Sequence, residues 1–237
     1  MSEITVVLVH GAFAESASWT GVIAALQAKN VSAIATPNQL RSVTSDADNV
    51  RRAVEFVGGP VLLVGHSYGG AVITEAAVGS DVVKGLVYVA AFAPDHGENS
   101  LGLTGQFPGS TLGDTIRPIP LGDGTNDLIV DRELFPNQFA GDLPLADAQI
   151  AAATQRAIRD YALGEPQPAE TSAWKTLPSW FVFGTGDKNI PVEGLRFMAD
   201  RAGSLKTVEI EGASHSVMVS NPDAVAALII EALAHLS

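Results

Sequence analysis

The chain has 237 residues, 46% of them hydrophobic and 17% charged, which is enough apolar mass for one large domain and too much for a disordered chain. Lys and Arg number 14 against 26 Asp and Glu, a formal net charge of −12, so phosphate backbones and anionic membranes are poor partners and neither nucleic acid nor a membrane is expected. Cysteine is absent, which excludes disulfides, thiolate catalysis and cysteine-ligated zinc or iron–sulfur centres.

Met1-Ser2-Glu3 offers no basic leader, and the apolar run at 4–9 is too short for a signal-peptide core. No stretch reaches the ~20 apolar residues of a membrane helix, so a cytoplasmic protein is the expectation. The continuous run 4–9 reads as a strand covered on both faces. Residues 18–29 read as a helix, with Trp19, Val22, Ile23 and Leu26 on one face. A strand at 31–36 stops at Pro37, and a helix at 46–57 ends at Gly58-Gly59-Pro60. A strand at 61–64 leads into a small-residue helix at 69–79, and a strand follows at 82–90. Near the other end come a strand at 180–183, a helix at 192–201, a strand at 207–210 and a helix at 222–235 opened by Pro222.

This alternation predicts an α/β fold, a mainly parallel sheet wrapped by helices with right-handed crossovers. The rhythm breaks between Pro94 and Thr176, where Gly, Pro and Asp are frequent and only 145–161 has a strong helical pattern. So long a stretch is not expected as a bare loop in a compact domain. The expectation is a core of residues 1–93 and 177–237 with a mostly helical cap, 94–176, inserted between two core strands; a surface excursion is the bland alternative.

The most informative segment is Gly65-His66-Ser67-Tyr68-Gly69-Gly70. It follows a strand and opens a helix, the setting in which G-x-S-x-G lifts a serine out of a sheet on a crowded turn. The helix N-terminus beneath supplies unpaired N–H groups and partial positive charge for an oxyanion. A phosphate loop is the competing reading, but neither its Lys-containing motif nor the G-x-G-x-x-G spacing occurs. A tightly packed turn with no chemistry is the other.

Serine needs a base. Of five histidines, His10 ends the first strand, His66 flanks Ser67 and is expected to point away from it, His96 begins the cap and His235 ends the last helix. His215, in Gly212-Ala213-Ser214-His215-Ser216, follows a strand and so falls at the carboxyl edge of the sheet with Ser67. It is the expected base; a capping or solvated histidine is the alternative. An acid must hold its tautomer. Asp187, in Gly184-Thr185-Gly186-Asp187, shares that edge and gives the order Ser, Asp, His. Asp95 competes, and Asp187 has an alternative use in capping the helix near Pro191. The N–H groups of Ala12 and Tyr68 are the expected oxyanion donors. Phe107, Phe135, Phe139 and Trp174 are candidate pocket lining and equally candidate cap core.

These residues resemble the α/β-hydrolase superfamily over nearly the whole chain. Within it, the segments Val7-Leu8-Val9-His10-Gly11-Ala12-Phe13, Val64-Gly65-His66-Ser67-Tyr68-Gly69-Gly70-Ala71, Asp187-Lys188-Asn189-Ile190-Pro191 and Ser214-His215-Ser216-Val217-Met218 are similar to small esterases related to plant methylesterases and hydroxynitrile lyases. The resemblance implies a triad of Ser67, Asp187 and His215, an oxyanion hole at Ala12 and Tyr68, no cofactor, and a six-stranded, mainly parallel sheet, because the chain starts directly in a core strand. Two departures separate it from the lyases: Ser216 stands where they carry a lysine after the histidine, and Gly11 is kept. The expected activity is hydrolysis of a small, apolar carboxylic ester or lactone through an acyl-serine. A slow-turnover ligand-binding or sensor protein is the alternative from another class, and a lyase or perhydrolase with the same triad is a third.

Overall fold

The computed structural model describes residues 4–236; the reading of Met1-Ser2-Glu3 as lacking a leader lies outside them. The core elements are β1 (Thr5–Val9), α1 (Thr20–Gln27), β2 (Ala33–Thr36), α2 (Val43–Val57), β3 (Val61–His66), α3 (Tyr68–Ala76) and β4 (Val83–Val89). After β4 come α4 (Ser100–Gly105), α5 (Leu112–Thr115), β5 (Ile116–Pro120), β6 (Asn126–Val130), α6 (Phe135–Phe139), α7 (Leu145–Thr154), β7 (Ile158–Arg159) and α8 (Asp160–Gly164). The chain then returns through β8 (Ser179–Gly184), α9 (Val192–Arg201), β9 (Lys206–Ile210), α10 (Val217–Ser220) and α11 (Pro222–Leu236).

The six core strands form one sheet in the order β2-β1-β3-β4-β8-β9, parallel at every pairing. The apolar runs explain this: β1 from Val6 onward, all of β3 and β8, and β4 from Gly85 onward are buried, as strands covered on both faces must be. Around the sheet α1 packs with α11 and α2 with α3. Helix α2 starts earlier than its apolar pattern indicates, because Ser42 caps it by accepting from Ser45 N at 3.0 Å; Gly58, at φ 67°, ends it. The strand order reverses direction around β1 and β3, the switch point where a crevice opens beyond the strands' carboxyl ends.

Between β4 and β8 the chain builds a structure of its own. Its helices are short, and it carries a three-stranded antiparallel sheet, β5-β6-β7, that the sequence reading does not anticipate. The predicted helix 145–161 stops at Thr154 for a visible reason. Gln155 turns to extended backbone, and its side chain accepts from Val130 N at 2.9 Å and donates to Val130 O at 2.8 Å. It thereby satisfies the polar backbone of β6 that a continuing helix would leave unpaired. Pro118 and Pro120 sit in β5, an edge strand, where a missing N–H costs no ladder bond. Among the described residues no helix is long and apolar enough to cross a membrane.

Candidate active site

Ser67 stands between β3 and α3 at φ 54°, ψ −125°, a backbone conformation costing about 1–3 kcal/mol for a residue with a Cβ. The turn is fixed on both sides: Ser67 N donates to Val89 O at 3.2 Å, and Ser67 O accepts from Gly70 N and Phe92 N. Neighbouring backbone passes too close for side chains. A Cβ on Gly65 would lie 2.5 Å from Gly69 O, and one on Gly11 would lie 2.6 Å from Ser67 Cβ. Gly11 is therefore required for the loop after β1 to reach the serine.

That loop and the serine turn meet because β1 and β3 are neighbours, with Val9 opposite Gly65. Among the described residues, the N–H groups of Ala12 and Tyr68 find no protein acceptor, leaving two backbone donors beside the serine turn, as an oxyanion requires. Phe13 N is not available, since it donates to Arg156 O at 3.2 Å.

Asp187 and His215 are brought together from the loops after β8 and β9. His215 Nδ1 lies 2.6 Å from Asp187 Oδ2, and both side chains are buried. The other oxygen of Asp187 accepts from Asn189 N at 2.7 Å and Ile190 N at 3.0 Å. Asp187 thus closes its own turn with one oxygen and holds the histidine with the other; it does not cap the helix that follows, whose N-cap is Pro191 with no side-chain cap bond. A carboxylate on Nδ1 requires that nitrogen to carry the proton, which leaves Nε2 as the acceptor. The Ser67 hydroxyl and the imidazole line one cavity; they are not hydrogen-bonded to one another here, and such bonds commonly tighten only when substrate binds. Asp95 is elsewhere, paired with Lys175 at 2.6 Å and accepting from Ser172.

The cavity measures about 400 Å³. Ala12, Phe13, Phe92, Leu128, Phe139, Leu163 and Ile190 contribute to a mostly apolar wall, and among the described residues no Asp, Glu, Lys or Arg lines it. Of the four aromatic candidates only Phe139 lines this cavity. Phe135 stacks behind it at 4.8 Å. Phe107 packs on Phe197. Trp174 donates from its indole to Pro94 O and lies under Lys175 and Arg201. Phe135 also lines an adjoining cavity together with Phe139, whereas Phe107 and Trp174 line neither of these two and pack among the neighbours just named.

Three further contacts hold the histidine loop, and sequence reasoning did not find them. His66 is fully buried, and its Nε2 donates to His215 O at 3.0 Å; burial, with His215 alongside, holds its pKa well below the usual value, so it stays neutral. The Phe139 carbonyl accepts from Ser216 N, Ser216 Oγ and Ser214 Oγ at 3.1, 2.9 and 3.3 Å. The Phe139 ring meets that of His215 edge-on at 4.8 Å. His10 is likewise buried and neutral: desolvation lowers its pKa to about 4, Nδ1 donates to Gly11 O, and Nε2 accepts from Asn38 N. Helix α2 adds Asp46, fully buried, which accepts from Tyr68 Oη at 2.9 Å and from Arg41 N; burial raises its pKa. Only adjacency to Ser67 marked His66 and Tyr68, and nothing local marked Asp46. Among the described residues there is no cluster of side chains able to hold a metal.

Comparison with known proteins places this geometry. The chain belongs to the alpha/beta hydrolase family, whose model matches residues 6–228. It is 28% identical to an alpha-hydroxynitrile lyase of Arabidopsis thaliana over an alignment covering 68% of this chain and 66% of that protein. It is 27% identical to a pyrethroid hydrolase of Sphingobium wenxiniae, over 98% of this chain and 88% of the other. The crystal structure of polyneuridine aldehyde esterase superposes with a TM-score of 0.83 at 17% identity, covering 98% of this chain and 99% of that one; at that identity the likeness speaks for the fold.

Proposed function

From an alpha/beta hydrolase chain with this site, we propose a serine hydrolase that cleaves a small, neutral, apolar carboxylic ester or lactone. The observation that carries the reading is the pairing of His215 Nδ1 with Asp187 Oδ2 at 2.6 Å, in a wall shared with the strained Ser67 turn. Ser67 Oγ attacks the carbonyl carbon while His215 Nε2 takes the hydroxyl proton. The N–H groups of Ala12 and Tyr68 receive the oxyanion. Collapse breaks the carbon–oxygen bond to the alcohol, which leaves with the proton from His215. Water, giving its proton to the same nitrogen, then attacks the acyl-Ser67 and releases the acid. Asp187 keeps the ring in the required tautomer and stabilises the imidazolium. Residues 94–176 act as a cap supplying Phe139, Leu128 and Leu163 to the pocket wall. No metal or organic cofactor has a step in this sequence.

Lyase chemistry is the second reading, raised by the relative named a hydroxynitrile lyase. The position after the histidine argues against it. Ser216 spends its hydroxyl on Phe139 O rather than presenting a charge, and among the described residues no lysine or arginine lines the cavity to stabilise a cyanide anion. A binding protein with slow turnover is separated by kinetics: an enzyme shows many turnovers per chain, a sensor one labelling event. The test is hydrolysis of a panel of short-chain aryl esters and lactones by purified protein, with mass detection of an acyl adduct on Ser67. Ser67→Ala is expected to abolish both activity and adduct; activity that survives it refutes the nucleophile.

A further inference from the structure

A second cavity of about 220 Å³ lies next to the catalytic one, and Phe13 and Phe139 are the residues common to both walls. The two rings meet edge to face at 6.2 Å, so this aromatic pair forms part of the partition. The loop carrying the histidine straddles that partition: His215 lines the catalytic side and Ser216 the far side. Leu143, Ala151 and Met218 contribute apolar wall beyond it; Glu15 and Asp147 are its charged lining, and no basic residue among those described takes part.

Resting on the esterase reading above, we propose that the second cavity is the subsite for the leaving alcohol, and that the Phe13–Phe139 pair is the gate which admits alcohols larger than the catalytic cavity can hold. The chemistry assigns the halves. The alcohol oxygen must receive its proton from His215, so the alcohol departs on the histidine side, toward the wall where the cavities adjoin. The acyl group, bonded to Ser67, stays in the catalytic cavity. The wall chemistry selects a neutral, apolar alcohol, aryl or branched alkyl. An alcohol bearing a carboxylate or phosphate would meet carboxylates and no counter-charge, inside a protein whose formal net charge is −12.

The experiment fills the second cavity without touching the catalytic one. Ala151→Phe and, separately, Leu143→Trp place bulk there; both positions line the second cavity alone. kcat/KM is measured for two acetate esters, one of a small alcohol and one of a branched alkyl alcohol whose ester exceeds the catalytic cavity of about 400 Å³. The large ester is expected to lose about tenfold or more, the scale of steric discrimination in an apolar pocket, while the small ester stays within about twofold, which also certifies the fold. Equal losses on the two esters in both variants, or no loss on either, overturn the subsite. A failure of the esterase reading is distinct: the unsubstituted protein then turns over neither ester.

Discussion

Asp187→Asn tests the site at the place where its geometry is tightest. The substitution preserves side-chain volume, and the surroundings fix how the amide must sit. One oxygen of Asp187 accepts two backbone N–H groups, from Asn189 and Ile190. Only the amide carbonyl of an asparagine can take that place, because its NH₂ would face two donors. The NH₂ is therefore turned toward His215 Nδ1, 2.6 Å from the present oxygen. That nitrogen can pair with it only as an acceptor, which forces the ring proton onto Nε2, the nitrogen that in the proposed mechanism takes the serine proton. The base is thus held in its wrong tautomer with the fold intact. Such an exchange typically costs about 10⁴ in rate, or about 5 kcal/mol of transition-state stabilisation. Stability should fall by only about 1–2 kcal/mol, since a charge-assisted bond is replaced by a neutral one. The assay is kcat on a chromogenic short-chain ester beside the thermal midpoint, with Asp95→Asn as a control that stays active. A folded Asp187→Asn protein within tenfold of the parent rate would show that the carboxylate does not set the histidine tautomer.

Gly11→Ala should lower kcat by about 10²–10³, the usual cost of one oxyanion donor, because its Cβ would lie 2.6 Å from Ser67 Cβ and 2.7 Å from His66 O and must push the Ala12 N–H away; an unchanged rate excludes Ala12 as donor. Tyr68→Phe and Asp46→Ala each break the 2.9 Å bond between those side chains and should each cost about 1–3 kcal/mol of stability by chemical denaturation, with Asp46→Ala the costlier because it also orphans Arg41 N and the double variant little worse than Asp46→Ala alone; additive losses would show that the two groups act separately. Acid should destabilise the protein before the carboxylates titrate. His10 has a folded pKa of about 4 against 6.5 for a free histidine, so its contribution is intact above pH 6.5 and is lost as pH falls from there through about 4, reaching about 3 kcal/mol. His66, lowered in the same direction, adds to it. Urea titrations from pH 7.5 to 4.5 read this slope, and His10→Gln should flatten it.

The core was legible because its signals are local. Continuous apolar runs gave the strands, and glycines bracketing Ser67 gave the elbow, where the physical demand for close backbone approach falls on the same few residues that spell the motif. Asp187 and His215 could be chosen because a parallel sheet gathers the loops after its strands on one edge, so chain order alone restricts the candidates. The groups that hold them in place were not legible. Asp46 reaches Tyr68 between two packed helices, and no spacing in the sequence records a contact across such an interface. His66 is expected from its place beside Ser67 to point away from the nucleophile; its Nε2 meets the carbonyl of His215, and its ring lies 4.8 Å from that histidine's ring.

The segment between β4 and β8 resisted for a different reason. Its strands hold prolines at 118 and 120, its sheet is antiparallel and only three strands wide, and β7 is two residues long. Side chains such as Gln155 complete backbone bonding that regular structure supplies elsewhere. Such structure is defined by what it packs against, so its sequence carries little periodicity. Yet this segment supplies the Phe139 carbonyl, which takes three bonds from the loop around His215. The placement of the histidine therefore depends on how residues 94–176 sit. On the proposed mechanism, any substrate that shifts Phe139 to pass between it and Phe13 also loads the loop that carries His215. Bulky alcohols should accordingly alter kcat as well as KM, whereas enlarging the acyl group, which has no need to displace Phe139, should act on KM alone until the catalytic cavity is full.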